Sequence, residues 1–414
     1  MNNEALPRPR ACARRGETGP HLAIVSASDW DSAVAKGVAS VLRDFEEGGY
    51  FAKVTTIFPF APRGLEMALS DRHRLVQFGY DAFPGARRYR AVRLALAPFL
   101  VARMALLMRQ IVREERIDIV RATDPYWCGL LGWFATVGST AAFCVSVHAH
   151  WDLCHRLDPR HGAPKLFGSR RLAKLVERFV FGMARSVLCI RRSLLDYAVA
   201  SGAARERTRL IPHGVDLRLF ETSREDVRRT FGLPDAAKLV VFVGRLVREN
   251  YVYEMLDLAR ALADIDDLRV VLVGGGIEEQ AVRAAVAGDP RLSRMVVMTG
   301  FVPRETAIAF RKAATVNVVP MGGYSLIEAC ASGRPVVAYD VEWHAELVRD
   351  GESGILVREN DVEALAKAVR RLLADEELAR RLGAAGRSRA FQLHDIEKVR
   401  QYRIACYEEL LARS

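Results

Sequence analysis

The chain has 414 residues, half of them apolar and 27% charged, the balance of a soluble globular protein and not of a disordered or fibrous one. That length exceeds one ordinary hydrophobic core and predicts two domains. Seven cysteines, an odd number with no C-x-x-C pair, argue against a disulfide framework or a zinc cluster and for a reducing compartment.

The net charge of +11 is unevenly spread: between Pro62 and Arg116 stand eleven Arg against five acidic residues, a surplus of six. Such a surface suits nucleic acid, an anionic membrane or phosphorylated substrates. No helix-turn-helix, RNP-like aromatic run or Cys/His finger accompanies it, so no nucleic acid partner is expected. Residues 1–20 are rich in Pro and Arg without an apolar core, and read as a frayed tail and not a signal peptide. The uncharged stretch Pro125–Val147 is long enough to span a bilayer. Gly138-Ser139-Thr140 interrupts it, which predicts a buried helix followed by a buried strand.

The first element is an apolar run, His21–Ser28, read as a strand buried on both faces. A helical pattern over Ala33–Phe45, a strand at Phe51–Ile57 and a basic helical stretch around Val92–Arg116 follow. Next come strand Ile117–Arg121, helix Tyr126–Val137, strand Ala142–His148, a long helical region to Ala184 and strand Ser186–Cys189. A second apolar run, Lys238–Arg245, restarts the alternation. It continues through helix Glu254–Ala263, strand Leu268–Val273, helix Glu278–Ala287, strand Met295–Thr299, helix Arg304–Ala313, strand Val316–Val319, helix Ser325–Ala331 and strand Pro335–Ala338. Helices Asp361–Leu373 and Glu376–Ala390 close the pattern. Strand–helix alternation in two blocks predicts two doubly wound α/β domains. The expected division is a tail over 1–20, an N-terminal acceptor-side domain over 21–208, a C-terminal donor-binding domain over 209–390, and a helix over 391–414 packing back on the first domain. Ligands of such folds sit outside the carboxyl ends of the strands, which predicts a site in the cleft between the domains.

The second block carries the denser chemical signals. Gly244-Arg245 follows its first strand, with Arg248 three residues on. Glycine there admits a ligand to the backbone, and an Arg fork grips phosphate oxygens. In Pro320-Met321-Gly322-Gly323-Tyr324-Ser325-Leu326-Ile327-Glu328 a strand ends, two glycines turn the chain and a helix opens near Tyr324 or Ser325. A helix start suits an anion, and Ser325 is a candidate cap. Glu328, one turn in, repels phosphate but suits a pair of sugar hydroxyls. The bland alternative is a tight turn and a charge–dipole partner.

Leu210-Ile211-Pro212-His213-Gly214-Val215-Asp216, Val243-Gly244-Arg245-Leu246-Val247, Val271-Leu272-Val273-Gly274-Gly275-Gly276 and Thr299-Gly300-Phe301-Val302-Pro303 recur in the order and spacing of the retaining GT-B glycosyltransferases of family 4, which this chain resembles. The block Leu326–Ala338 resembles that family's most diagnostic stretch. The resemblance is firm over about 184–389 and thin over the first 150 residues. It implies a GT-B fold of two Rossmann-like domains facing each other across a cleft, and a nucleotide-diphosphate sugar as donor. It implies that Arg245 binds the diphosphate, that backbone N–H groups of Gly323, Tyr324, Ser325 and Leu326 hold the distal phosphate, that Glu328 holds the ribose, and that Val302 lies at the base. Gly244, Arg248, Asn250, Gly274 and Gly275 complete the donor side.

Two positions depart from the family. The first Glu of its E-x7-E motif falls on Pro320, and its phosphate-binding Lys falls on Asn250, followed by Tyr251 instead of Gly. Two unit charges about 4 Å apart at an effective dielectric near 20 interact by about 4 kcal/mol, so a missing cation matters. Arg248 is a candidate to compensate, and Tyr251 a candidate to stack on the ligand. Either the subfamily grips its donor differently, or the protein is impaired and acts as a non-catalytic scaffold subunit. A UDP-sugar epimerase or a glycan phosphorylase is a further GT-B alternative, without the cleft carboxylates or Schiff-base Lys it needs.

In the first domain, Ser28 and Asp29 follow the first strand, where the family has a Gly-rich loop. His148 and His150 end a buried strand, and the resemblance sets such a His near the reacting anomeric carbon. Trp151 and Asp152 are acceptor-side candidates, and Trp343-His344 a candidate sugar contact. The expected activity is a cytoplasmic, metal-independent hexosyl transfer with retention, needing no cofactor. The expected acceptor is a glycan or lipid-linked glycan of bacterial surface polysaccharide or glycolipid synthesis, with peripheral contact at an anionic membrane.

Overall fold

A computed structural model describes residues 19–35, 39–79, 96–157 and 168–412. The tail read over residues 1–18, the start of the basic helical stretch at 92–95 and the middle of the helical region at 158–167 lie outside the described residues. The chain divides into two compact units. One comprises His213–Val399; the other runs to Pro212 and is completed by the chain from Arg400 onward.

The N-terminal unit is built on eight strands: β1 His21–Val25, β2 Lys53–Ala61, β3 Leu65–Ala68, β4 His73–Gly79, β5 Ile119–Ala122, β6 Ala142–Val147, β7 Ser186–Cys189 and β8 Thr208–Leu210. Their order is β3-β4-β2-β1-β5-β6-β7-β8, parallel except for β3 against β4. The Val/Ile/Ala runs of β1, β5 and β6 are buried on both faces, as parallel strands covered by helices must be. The β3–β4 hairpin escaped the sequence reading, because Leu65–Ala68 alternates only weakly. Helix pattern over Ala33–Phe45 gives way to a short helix Trp30–Ala35 and a 3-10 segment Ala39–Gly49. At the expected division near 208/209, Thr208–Leu210 forms β8, which pairs with β7. The two units part at Pro212/His213, four residues past 208/209.

The uncharged stretch resolves into helix Trp127–Thr136, a turn at Gly138 with φ +71°, and β6. Among the described residues no helix is long and apolar enough to cross a membrane. The last segment is not one helix from 391: helix Glu376–Leu393 ends there and Ile396–Ala412 follows. Within the N-terminal unit Tyr407 of that last helix meets Phe51 edge-on at 5.2 Å and accepts a hydrogen bond from the buried Arg121, whose guanidinium covers Phe45 at 4.8 Å.

The C-terminal unit has six parallel strands, β9 Lys238–Val243, β10 Leu268–Val273, β11 Val296–Gly300, β12 Val316–Val319, β13 Val336–Tyr339 and β14 Ile355–Val357. Their order β11-β10-β9-β12-β13-β14 reverses direction between β9 and β12. That reversal opens a crevice at the carboxyl ends of those two strands.

Candidate functional site

The loops beyond β9, β10 and β11 form one hydrogen-bonded shelf. Gly244 N–H donates to Val273 O at 3.0 Å, Leu246 N–H to Gly275 O at 3.0 Å, and Gly274 N–H to Gly300 O at 3.0 Å. Glycine is required here by contact: a Cβ on Gly274, at φ +131°, would lie 2.1 Å from Gly244 O, and one on Gly276 would lie 2.4 Å from Leu246 O. Arg245 stands exposed on this shelf, without an ion-pair partner among the described residues. Asn250 Nδ2 donates to Arg245 O at 3.0 Å and so ties the turn that carries it.

Arg248, the candidate to compensate for the missing Lys, and Tyr251, the candidate to stack on the ligand, are otherwise engaged. Arg248 pairs with Glu278 at 3.2 Å and covers Tyr253. Tyr251 packs edge-on against Tyr339 at 5.2 Å and its hydroxyl donates to Glu359. Tyr251 also occupies the left-handed region, φ +60°, which explains why Gly suits this position.

Beyond β12 the chain turns through Gly322 and Gly323 into helix Tyr324–Ala331, whose N-cap is Gly323. Ser325 is not the cap. Its hydroxyl donates to Val243 O at 2.6 Å and accepts from Arg311 Nη2 at 3.0 Å, stitching the helix start to the end of β9. Leu326 N–H bonds Gly323 O within the turn. Glu328 lies between two guanidiniums, Arg304 Nε at 3.0 Å and Arg311 Nε at 3.6 Å. Arg311 is wholly buried, and burial pulls its guanidinium below its ordinary pKa while Glu328 opposes that. Tyr324 packs on the ring of His213, with its hydroxyl 3.3 Å from His213 Nδ1.

Trp343 and His344 are not sugar contacts. Both are buried and clamp the glycine turn: Trp343 Nε1 donates to Gly322 O at 3.0 Å, and His344 Nε2 accepts from Gly322 N–H at 3.1 Å. His344 Nδ1 donates to Tyr339 O at 2.8 Å, which fixes that tautomer. Val302 is half-buried beside the exposed Phe301.

The N-terminal unit reverses strand order between β1 and β5. Asp29, after β1, caps the next helix: Oδ1 accepts from Ser32 N–H at 2.9 Å, while Ser28 Oγ donates to Asp29 O at 3.4 Å. β6 ends at Val147, so strand alternation does not extend to both histidines. His148 is exposed; the Ser146 hydroxyl donates to Ala122 O, which makes His148 Nε2 the donor to Ser146 at 3.1 Å. His150 stacks on Tyr197 at 3.8 Å, and its Nδ1 accepts from Leu153 N–H at 3.0 Å, capping helix Trp151–Leu157. Asp152 is buried in a two-pronged pair with Arg170 at 2.8 and 2.9 Å, and Trp151 meets Tyr126 edge-on. Trp151, Asp152 and His150 thus have packing partners, and His148 is the exposed member of the group.

Arg304, Arg311 and His213 were not among the expected site residues. Arg311 falls on the buried face of helix Arg304–Ala313 among Ile308, Ala309 and Phe310. A charge on an apolar face was the available signal; its partners, 14 and 17 residues away, were not. Among the described residues no three His, Cys, Asp or Glu side chains converge as a metal-binding group.

Residues 52–219 match the family model "Glycosyltransferase Family 4", and residues 223–389 match "Glycosyl transferases group 1". The D-inositol 3-phosphate glycosyltransferase of Thermobifida fusca (strain YX) is 33% identical over 199 residues, 45% of this chain and 46% of that protein. The matched segment therefore spans about half the length of such a relative. The 2-deoxystreptamine glucosyltransferase of Streptomyces kanamyceticus is 29% identical over 74% of this chain and 86% of its own. In fold, sucrose-phosphate synthase of Thermosynechococcus elongatus superposes with TM-score 0.69 at 23% identity, covering 95% of this chain and all of its own. Anabaena HepE, solved in complex with UDP, superposes with TM-score 0.69 at 17% identity, covering 94% of this chain and all of its own. With a family 4 domain followed by a group 1 domain, each a Rossmann-like parallel α/β unit, the chain belongs to the GT-B glycosyltransferases.

Proposed function

We propose that the protein transfers a sugar from a nucleotide-diphosphate donor to an acceptor hydroxyl of a glycan or lipid-linked glycan, with retention and without a metal. The observation that carries this reading is the grouping at the β9/β12 reversal. The exposed Arg245, the start of helix Tyr324–Ala331 and Glu328 all follow the ends of those two strands. The diphosphate is held by Arg245 and the helix start, where free N–H groups and the dipole favour negative charge. Glu328 takes the ribose hydroxyls; a carboxylate has about four acceptor sites, so its two guanidiniums leave it room. Backbone at Val302 meets the base. His148 is the candidate beside the reacting carbon, and that role rests on the resemblance and on its exposure.

In the transfer, the bond from the anomeric carbon to the diphosphate oxygen breaks as the acceptor oxygen bonds the same face, and the acceptor proton passes to the leaving phosphate. Charge grows on the leaving diphosphate, so preorganised cations and dipoles lower the barrier. UDP in HepE supports a uridine donor first. The alternative of a non-catalytic subunit has its own observation: Pro320 offers no carboxylate and Asn250 no cation. Release of nucleotide diphosphate from UDP-glucose, UDP-galactose or GDP-mannose with a lipid-linked acceptor, in EDTA, tests the reading. Turnover lost in Arg245→Ala supports transfer, and tight nucleotide binding with no turnover on any acceptor favours the scaffold.

A further inference from the structure

Helix Arg170–Met183 of the N-terminal unit buries Ala173, Glu177, Val180 and Phe181. Its other side carries Leu172, Leu175, Phe179 and Met183, exposed by 45, 65, 39 and 44%. These four recur at helical spacing, so they form one outward stripe. Arg171 and Arg178 flank the stripe, both exposed and without an ion-pair partner among the described residues. The one acid of the helix, Glu177, is fully buried and paired with Lys174 at 2.7 Å. The outward face is therefore apolar and cationic, with no carboxylate.

The neighbouring helices extend it. Trp133 of helix Trp127–Thr136 meets Phe179 at 4.8 Å, and Val137 at that helix's end is 41% exposed. Helix Ala97–Glu114 packs on the other flank of the same helix, with Arg109 over Phe134 at 5.6 Å, and exposes Phe99 and Leu106 by 59 and 62%. So many large apolar side chains on one layer mark an interaction surface.

We propose that this layer, led by helix Arg170–Met183, seats the chain on an anionic lipid bilayer. The stripe is the length of an interfacial helix face that enters the headgroup boundary, and flanking cations without acids match anionic headgroups. A second copy fits less well, because face-to-face pairing sets Arg171 and Arg178 against their own copies. The proposal does not rest on the nucleotide site or on any transfer activity.

The test is flotation of the full chain with vesicles of phosphatidylcholine alone and of phosphatidylcholine with about 30% phosphatidylglycerol, which supplies the anionic surface. Binding to the anionic vesicles, weakened by salt, is expected. Arg171→Gln/Arg178→Gln lowers the anionic preference roughly twenty-five-fold, at about fivefold for each cation. Leu172→Ser/Leu175→Ser lowers binding to both vesicles by about tenfold or more. Both variants keep the wild-type thermal midpoint, since all four side chains point outward. Absence of binding to anionic vesicles, or unchanged binding in both variants, overturns the proposal. So does a concentration-dependent dimer that Leu172→Ser/Leu175→Ser abolishes while vesicle binding stays.

Discussion

Arg311 Nε stands 3.6 Å from Glu328 Oε2 while Arg304 Nε stands 3.0 Å from Oε1, so one carboxylate balances two guanidiniums, one of them fully buried. Removing the carboxylate strands a buried cation. Glu328→Ala should cost about 3–5 kcal/mol, beyond any effect on the ligand. Arg311→Met leaves Glu328 paired with Arg304 and should cost less, about 1–2 kcal/mol. The double variant Arg311→Met/Glu328→Gln should recover most of the loss. Urea midpoints of the three variants check this, and a sum of single effects in the double variant would refute the coupling.

Gly274→Ala should be among the costliest single-methyl changes in the chain. Its Cβ would fall 2.1 Å from Gly244 O, in a backbone region closed to L side chains. A loss of at least about 2 kcal/mol is expected, together with weaker nucleotide binding as the Arg245 shelf shifts. Thermal unfolding with and without UDP reads both. Gly323→Ala, where the same methyl meets nothing within 4 Å, is the contrasting control.

His344→Phe should leave the Gly322 N–H without its acceptor while keeping the volume. An orphaned buried donor costs about 1–3 kcal/mol. Because that turn leads into the helix start, kcat should fall more than stability, and KM for donor should rise. Unaltered kinetics with lowered stability would limit His344 to packing.

Acid should weaken both units. Burial lowers His73 of the N-terminal unit to about 4, with Glu46 opposing, and lowers His394 of the C-terminal unit to about 4, with its bond to His213 O opposing and Arg389 adding. Each stays neutral in the folded chain but takes a proton in the unfolded chain below about 6.5. The unfolded state then binds more protons, so stability falls as pH drops from about 6.5 towards 4, by roughly 3 kcal/mol for each ring. Thermal midpoints across that range check it, and His394→Gln should flatten the part owed to the C-terminal unit. A midpoint flat from pH 7 to 4.5 would contradict it.

The alternation of apolar runs with helical patterns made the second sheet legible almost strand for strand, because strands buried on both faces leave little else to read. The first sheet was less legible. The edge strand β3 is half-exposed, and β8 looked like the start of the next unit because it abuts Pro212. The positions of Arg245 beyond β9 and of Glu328 in the helix beyond β12 were legible from their glycine neighbourhoods. The roles of Ser325, Trp343 and His344 were not, since each depends on a partner brought near by folding: Val243 and Arg311 for Ser325, and the Gly322 peptide for the other two. The strand expected to run to His148 stops at Val147, so His150 lies beyond it at the start of helix Trp151–Leu157.

The most direct test of the nucleotide-site reading is calorimetric titration of the chain with UDP, GDP and ADP in EDTA, repeated on Arg245→Ala. One nucleotide diphosphate is expected to bind without metal, and Arg245→Ala to weaken it by at least about tenfold, the worth of one charge-assisted hydrogen bond. Equal affinity in the variant, or no heat from any nucleotide diphosphate, would contradict it.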